Sequence, residues 1–241
     1  LHFDTGKAST LPFWMYKLKR LGYWTELTVG MKRASNIVAV SENTKQEIID
    51  HFRVNPNKIV VTYEAADVVK ARGKRLIEGE YILYVGNTYP HKNLGMLLDS
   101  WKGKIVLATP DDYFSKRLPR RNNVVRFGPA NANELSNLYT HAAVLVFPSL
   151  MEGFGLPGLE AMALGTPVVC SDIGVLREVY GDACLRFDPN NPSDIVEKIQ
   201  NVLQNQTVRN ELVEKGKRQA KKYSWRKMAE QTLDVYESRA R

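Results

Sequence analysis

From Tyr81 onward the chain alternates short apolar runs with helical segments, and that alternation leaves few folds open. Apolar runs fall at 81–85, 104–108, 123–127, 143–147, 167–171 and 183–187, with helical segments near 94–101, 111–117, 133–141, 158–164 and 174–180 between them. The runs are almost continuously apolar, as in Ala143-Val-Leu-Val-Phe147. A strand apolar on both faces belongs in a parallel sheet covered by helices on both sides. The predicted class is therefore α/β, a Rossmann-like parallel sheet with helices on both faces. Three more helices close the chain at 192–204, 207–222 and 225–241, the last capped by Ser224. Upstream lie a strand at 36–40, a helix at 45–52 with Asn43 and Gln46 as its capping pair, and a strand at 58–63. These read as the remnant of a second Rossmann-like domain. Periodicity lapses through the charged, glycine-rich stretch 64–80, which gives three expected divisions: 1–76, 77–222 and 223–241.

The densest chemistry lies between Phe147 and Pro167. An apolar strand stops at Pro148-Ser149, a glycine-rich loop follows, and Pro157 suits the start of a helix expected from about Gly158 to Gly165. Glu152 and Glu160 bracket the loop, the second expected in the first helical turn. A helix N-terminus presents free N–H groups and a positive dipole end, which attract phosphate. Glycines let backbone approach a ligand closely, and carboxylates accept hydrogen bonds from hydroxyls. An anion receptor beside two hydroxyl acceptors suits a phosphorylated sugar. Two other readings compete. Gly153-Phe-Gly155-Leu-Pro-Gly158 spells G-x-G-x-x-G, and Glu178 follows at the spacing of a dinucleotide fingerprint. That fingerprint sits in the first strand–helix turn of its sheet, whereas this one comes late, with four residues intervening between Pro148 and Gly153. The plainer alternative is a loop carrying two solvated glutamates.

Charge sets the classes of partner. The formal net charge of +8 is concentrated at the ends, with six cations against two acids in 1–33 and ten against five in 209–241. A basic surface meets nucleic acid, anionic lipid headgroups or phosphorylated ligands. No nucleic-acid module is readable, which leaves an anionic membrane surface or a phosphorylated substrate. Aromatics interleaved with cations between Leu11 and Trp24 fit an interfacial helix, although the apolar residues make no single stripe and a helix packed into a domain fits better. Cys170 and Cys184 lie in apolar runs without C-x-x-C spacing, as buried free thiols do. The expected location is cytoplasmic, with room for a peripheral position on the inner face of a membrane. The chain opens on Leu within what reads as folded sequence, so a fragment, or one half of a split enzyme, is expected.

Other strand ends carry matching groups. Tyr84-Val-Gly86-Asn87 leads through His91-Lys92-Asn93 to a helix at Leu94, which places a glycine and a point charge where a diphosphate would sit. Phe127-Gly128 closes another strand, where backbone at the bend suits a base edge. Together with Pro148-Ser149, Glu152-Gly-Phe-Gly-Leu-Pro-Gly-Leu-Glu160, Gly165-Thr-Pro-Val-Val169, Gly181-Asp-Ala183 and Asp188-Pro189, these residues resemble the GT-B retaining glycosyltransferases of the group 1, or family 4, type. The resemblance covers nearly all of 36–240.

The resemblance implies two facing Rossmann-like domains, a nucleotide sugar held mainly by the C-terminal one, and a last helix crossing back to the other. It implies that Glu152 binds sugar hydroxyls, that Phe154 and Gly155 offer backbone N–H groups within the Gly153–Leu156 loop, and that Glu160 holds the ribose. Lys92 would hold the diphosphate beside Gly86 and Asn87, with Phe127 and Gly128 near the base; Glu152 and Lys92 are the candidates for catalysis. Many members have Arg where this chain has Asn87. The family's N-terminal domain runs well past the residues present before the linker, and His2 is the nearest candidate for its sugar-side histidine. The implied reaction moves a sugar from a UDP- or GDP-linked substrate to a sugar or lipid-linked acceptor hydroxyl with retention, in surface polysaccharide or glycolipid synthesis. It needs no cofactor, and the lack of an Asp-x-Asp motif implies no metal. A nucleotide-sugar-binding half that relies on a partner chain is the alternative.

Overall fold

The computed structural model describes residues 12–238. The first element is α1 (Phe13–Arg33), which begins after Pro12. Next come β1 (Ile37–Ala39), α2 (Glu42–Phe52) and β2 (Ile59–Val61), with the two strands paired in parallel. The start of α2 differs from expectation. Its cap is Ser41, whose hydroxyl accepts the Thr44 N–H at 3.0 Å, so the helix begins before Asn43. Helix α2 buries Ile48 and Phe52 and stops where Arg53 turns left-handed (φ 51°). Trp24 of α1 packs on Phe52 at 5.2 Å between ring centroids, while Trp14, Leu18 and Leu21 stay exposed. One side of α1 thus packs into this unit as a domain helix does.

The segment between β2 and residue 81 is irregular. Beyond it the strand–helix alternation appears as predicted: β3 (Ile82–Val85), α3 (Leu94–Ser100), β4 (Ile105–Ala108), α4 (Tyr113–Lys116), β5 (Val124–Arg126), α5 (Ala132–His141) and β6 (Val144–Phe147). The series continues with α6 (Leu156–Ala163), β7 (Val168–Ser171), α7 (Gly174–Tyr180), β8 (Leu185–Phe187), α8 (Pro192–Gln204), α9 (Gln206–Ala220) and α10 (Trp225–Glu237). The six strands β3–β8 form one parallel sheet in the order β5-β4-β3-β6-β7-β8. This is a doubly wound order whose direction reverses between β3 and β6.

Strand alternation divides the core between the faces. Tyr81, Leu83, Leu145, Phe147, Val168 and Cys170 point toward α5, α6 and α7. Ile82, Tyr84, Val144, Val146 and Val169 point toward α3, α8 and Leu212 of α9. Each fully buried Val, Leu or Ile contributes about 1.5–3 kcal/mol relative to exposure, so these strands are apolar throughout. Helix α6 starts at Leu156, two residues earlier than its sequence suggested, because Gly155 takes a left-handed φ of 100° and serves as its N-cap.

Candidate functional site

In such a sheet, loops at the carboxyl ends of the strands diverge at the reversal point and leave a crevice. Two candidate loops meet there. After β3, Gly86 has φ 136° and Tyr84 donates its hydroxyl to the Asn87 carbonyl. The chain then turns so that the His91 carbonyl accepts the Leu150 N–H at 2.8 Å, tying this loop to the one after β6. Asn93, left-handed at φ 55°, donates its amide to the Pro189 carbonyl at 2.9 Å, which brings the loop after β8 alongside.

Across this junction Lys92 Nζ stands 2.6 Å from Glu152 Oε1, with side chains only 14% and 11% exposed. The ammonium also lies 5.6 Å from the centroid of the Phe147 ring. The cation expected to meet phosphate and the carboxylate expected to meet sugar hydroxyls therefore neutralise each other.

Helix α6 opens beside this pair without a side-chain cap. Among the described residues, nothing accepts the N–H of Phe154 or Gly155. The Phe154 ring is buried, edge-on to Tyr223 at 5.5 Å and tilted against Tyr63 at 6.2 Å, so only its backbone is offered to a ligand. Glu160 is the fifth helical residue rather than a first-turn residue. Its Oε2 accepts the Tyr139 hydroxyl at 2.8 Å. Burial pushes the Glu160 carboxyl above its ordinary range; the Tyr139 hydrogen bond opposes that rise and the nearby Asp67 adds to it. Phe127 and Gly128 form a third locus at the end of β5. Phe127 donates to the Leu107 carbonyl at 3.0 Å, and Gly128 (φ 86°) lines a cavity of about 260 Å³ with Thr109, Lys116 and Arg126.

The glycines of the loop serve packing. A Cβ on Gly158 would lie 2.2 Å from the Tyr180 hydroxyl oxygen, and one on Gly155 would lie 2.5 Å from it. Tyr180 is fully buried and donates to the Gly155 carbonyl. The carboxylate of Glu178 accepts the N–H groups of Glu42 and Asn43 at 2.7 and 2.8 Å. The dinucleotide reading therefore loses both its glycine cradle and its free acid. His2 lies outside the described residues.

The structure thus joins Lys92, Glu152 and the mouth of α6 at one reversal point, while Glu160 is engaged with Tyr139 and Gly128 faces a separate cavity. Sequence reasoning missed Tyr139, which sits among the apolar residues of its helix without a motif. It also missed Ser41 and Thr44, whose hydroxyls reach the Gly153 carbonyl at 3.0 and 3.2 Å. The only signal for Ser41 was its place directly before a helix.

Residues 112–219 match the family described as glycosyl transferases group 1. The O-antigen chain mannosyltransferase B of Escherichia coli is 34% identical over 230 residues, covering 84% of this chain and 60% of that protein. Residues 112–219 thus carry a group 1 glycosyltransferase region. The chain spans about 60% of the length of that curated relative. Sucrose-phosphate synthase from Thermosynechococcus elongatus superposes on this chain with a TM-score of 0.78, over 90% of this chain and 61% of that one, at 19% identity. Anabaena Alr3699/HepE, solved in complex with UDP-glucose, superposes with a TM-score of 0.76, over 97% and 70%, at 15% identity. Both likenesses are of fold, and the fold is GT-B. Among the described residues, no helix is long and apolar enough to cross a membrane.

Proposed function

We propose that the crevice between β3 and β6 binds a nucleoside-diphosphate sugar, and that the whole protein transfers the sugar to an acceptor hydroxyl with retained configuration. The observation that carries this reading is the Lys92–Glu152 pair, held at the reversal point beside the uncapped N-terminus of α6. A diphosphate entering there takes Lys92 and the free N–H groups as partners, while Glu152 accepts from sugar hydroxyls. Glu160, with one oxygen fixed by Tyr139, accepts from the ribose. Gly86 and Asn87 pass close to the phosphates, and Phe127 and Gly128 present backbone to the base. As the bond to the sugar breaks, charge grows on the leaving phosphate, and Lys92 with the helix mouth stabilises it. On this reading the two carboxylates are hydroxyl acceptors, not the acid and nucleophile of a glycosidase.

Relatives named as O-antigen mannosyltransferases make mannose the first sugar to test and surface polysaccharide the first class of product. The reading includes transfer without a metal. It also includes work on lipid-linked acceptors at the inner face of a membrane, for which the basic chain ends are suited. Calorimetric titration with GDP, UDP, GDP-mannose and UDP-glucose, in the presence of a chelator, tests the core of it. Binding of one nucleotide series with a Kd below the millimolar range supports the reading; no binding of any of the four overturns it. A second reading, in which this chain binds the nucleotide sugar but needs a further polypeptide for the acceptor side, is favoured by the N-terminal unit. Among the described residues its sheet has two strands, fewer than an independent sheet needs, and Val38 on β1 is exposed. Binding without transfer or hydrolysis of labelled GDP-mannose would select it.

A further inference from the structure

We infer that Ser41 and Thr44, in the N-terminal unit, are positioning residues for the 152–155 loop of the other unit, presetting the backbone groups that receive the sugar and its phosphate. The inference rests on the nucleotide-sugar reading and adds to it the residues that act from the opposite side of the crevice.

The contact is made by groups more than a hundred residues apart in the chain. Ser41 is fully buried, and its hydroxyl lies 3.0 Å from the Gly153 carbonyl and 2.9 Å from Thr44 Oγ1. The Thr44 hydroxyl lies 3.2 Å from the same carbonyl. Each hydroxyl has one proton, so Ser41 donates either to Gly153 directly or to Thr44, which then donates onward. Either arrangement places a hydroxyl proton on the Gly153 carbonyl.

The N-terminus of α2 is itself locked to the second unit. Glu178 of α7 accepts the N–H groups of Glu42 and Asn43, while Ser41 accepts that of Thr44 through its hydroxyl and that of Lys45 through its carbonyl. The first four N–H groups of α2 are thereby satisfied, two of them by the opposite unit. A charged acceptor for two N–H groups fixes the helix end where the helix dipole favours an anion.

Peptide planarity carries the constraint onward. In a trans peptide the carbonyl of Gly153 and the N–H of Phe154 point in opposite directions. Holding that carbonyl toward α2 turns the Phe154 N–H away from α2. The Phe154 ring, wedged between Tyr63 and Tyr223, prevents the residue from rolling back. The Phe154 N–H is thus fixed in direction, and it and the Gly155 N–H that follows are without acceptors among the described residues. Groups preset in this way receive a ligand without the ordering cost a mobile loop would add.

The test separates phosphate and ribose recognition from recognition of the sugar. Titration calorimetry of the full chain compares a nucleoside diphosphate with its sugar conjugate, GDP with GDP-mannose and UDP with UDP-glucose, in wild type, Ser41→Ala/Thr44→Val, Thr44→Val and Thr44→Ser. In wild type the conjugate binds more tightly than the bare diphosphate. In the double variant the bare diphosphate loses affinity by a few-fold, because the N–H groups that meet it are no longer preset, and the advantage of the conjugate falls about tenfold further, the worth of roughly one to two hydrogen bonds. Thr44→Val, which keeps the Ser41 cap and so the fold of α2, loses a smaller share, and Thr44→Ser restores the wild-type ratio. An unchanged ratio in the double variant, measured at a temperature where it is folded, overturns the positioning role while leaving the nucleotide-sugar reading intact. A wild-type chain that binds none of the four ligands overturns both.

Discussion

Removing the Lys92 ammonium isolates a carboxylate that the fold has placed almost out of water. An exposed ion pair is worth about 0–1 kcal/mol, whereas deleting one partner of a buried pair costs about 3–5 kcal/mol because the other charge stays behind unpaired. With the two side chains 14% and 11% exposed, the Lys92–Glu152 pair lies nearer the second limit, and Lys92→Ala should destabilise the chain by about 2–4 kcal/mol. For a domain of this size about 1 kcal/mol moves the melting temperature by roughly 2–4 °C, so a fall of roughly 5–15 °C is expected. The cost belongs to the stranded Glu152 and should shrink when its charge is removed. Lys92→Ala/Glu152→Gln should recover at least half of the loss. Urea unfolding of wild type, both single variants and the double variant gives the coupling energy directly. Losses that simply add, to within about 0.5 kcal/mol, would refute the view that these groups form a coupled pair. The same variants read out on ligand: Glu152→Gln should tighten binding of a bare nucleoside diphosphate by releasing Lys92, and weaken binding of the sugar conjugate.

Gly158→Ala puts a methyl carbon 2.2 Å from the hydroxyl oxygen and 2.3 Å from the Cζ of a fully buried Tyr180, so overpacking should cost about 1–3 kcal/mol in urea unfolding. Tyr180→Phe should not rescue it, since the ring carbon stays in the way; full rescue would show that the glycine is not packed against the ring. Glu160 titrates above its ordinary value because it is buried, so the native state holds its proton more tightly than the unfolded chain does. Stability associated with this group therefore falls as pH rises through the window between the unfolded and the raised native value. Glu160→Gln should raise the melting temperature at neutral pH, have little effect below that window, and weaken nucleotide binding at neutral pH; equal melting shifts at both pH values would argue against a raised native value.

The sheet was legible because burial on both faces forces continuous apolar runs, and every predicted strand of the C-terminal unit is present within two residues of its expected limits. Helix starts were harder to read. Gly155 begins α6 by adopting a left-handed backbone, and Ser41 rather than Asn43 caps α2; both choices depend on partners far away in sequence, Tyr180 in one case and Gly153 in the other. Chemistry was legible where residue type and strand end coincide, as at Lys92 and Glu152, but their mutual pairing was not, since sixty residues separate them and only the sheet order brings them together. Tyr139 could not have been found, because a tyrosine among apolar helix positions reads as core and becomes a hydrogen-bond donor only when α6 lies against α5.

On the proposed nucleotide-sugar reading, the charge count at the reversal point gives the uncapped helix a role. When a diphosphate displaces Glu152 from Lys92, the carboxylate remains nearby, and sugar hydroxyls satisfy its lone pairs without cancelling its charge. One lysine then faces two phosphates and a glutamate, with Asn87 at the position where a second cation would help. The remaining compensation has to come from backbone: the partial positive charge at the mouth of α6, roughly half an elementary charge, and the fixed N–H groups before it. A side chain capping α6 from within would consume those groups, and a loop free to turn its peptides would average them away. The left-handed Gly155, the wedge of Phe154 between two tyrosines and the hydroxyls on the Gly153 carbonyl serve that one electrostatic requirement from different parts of the chain.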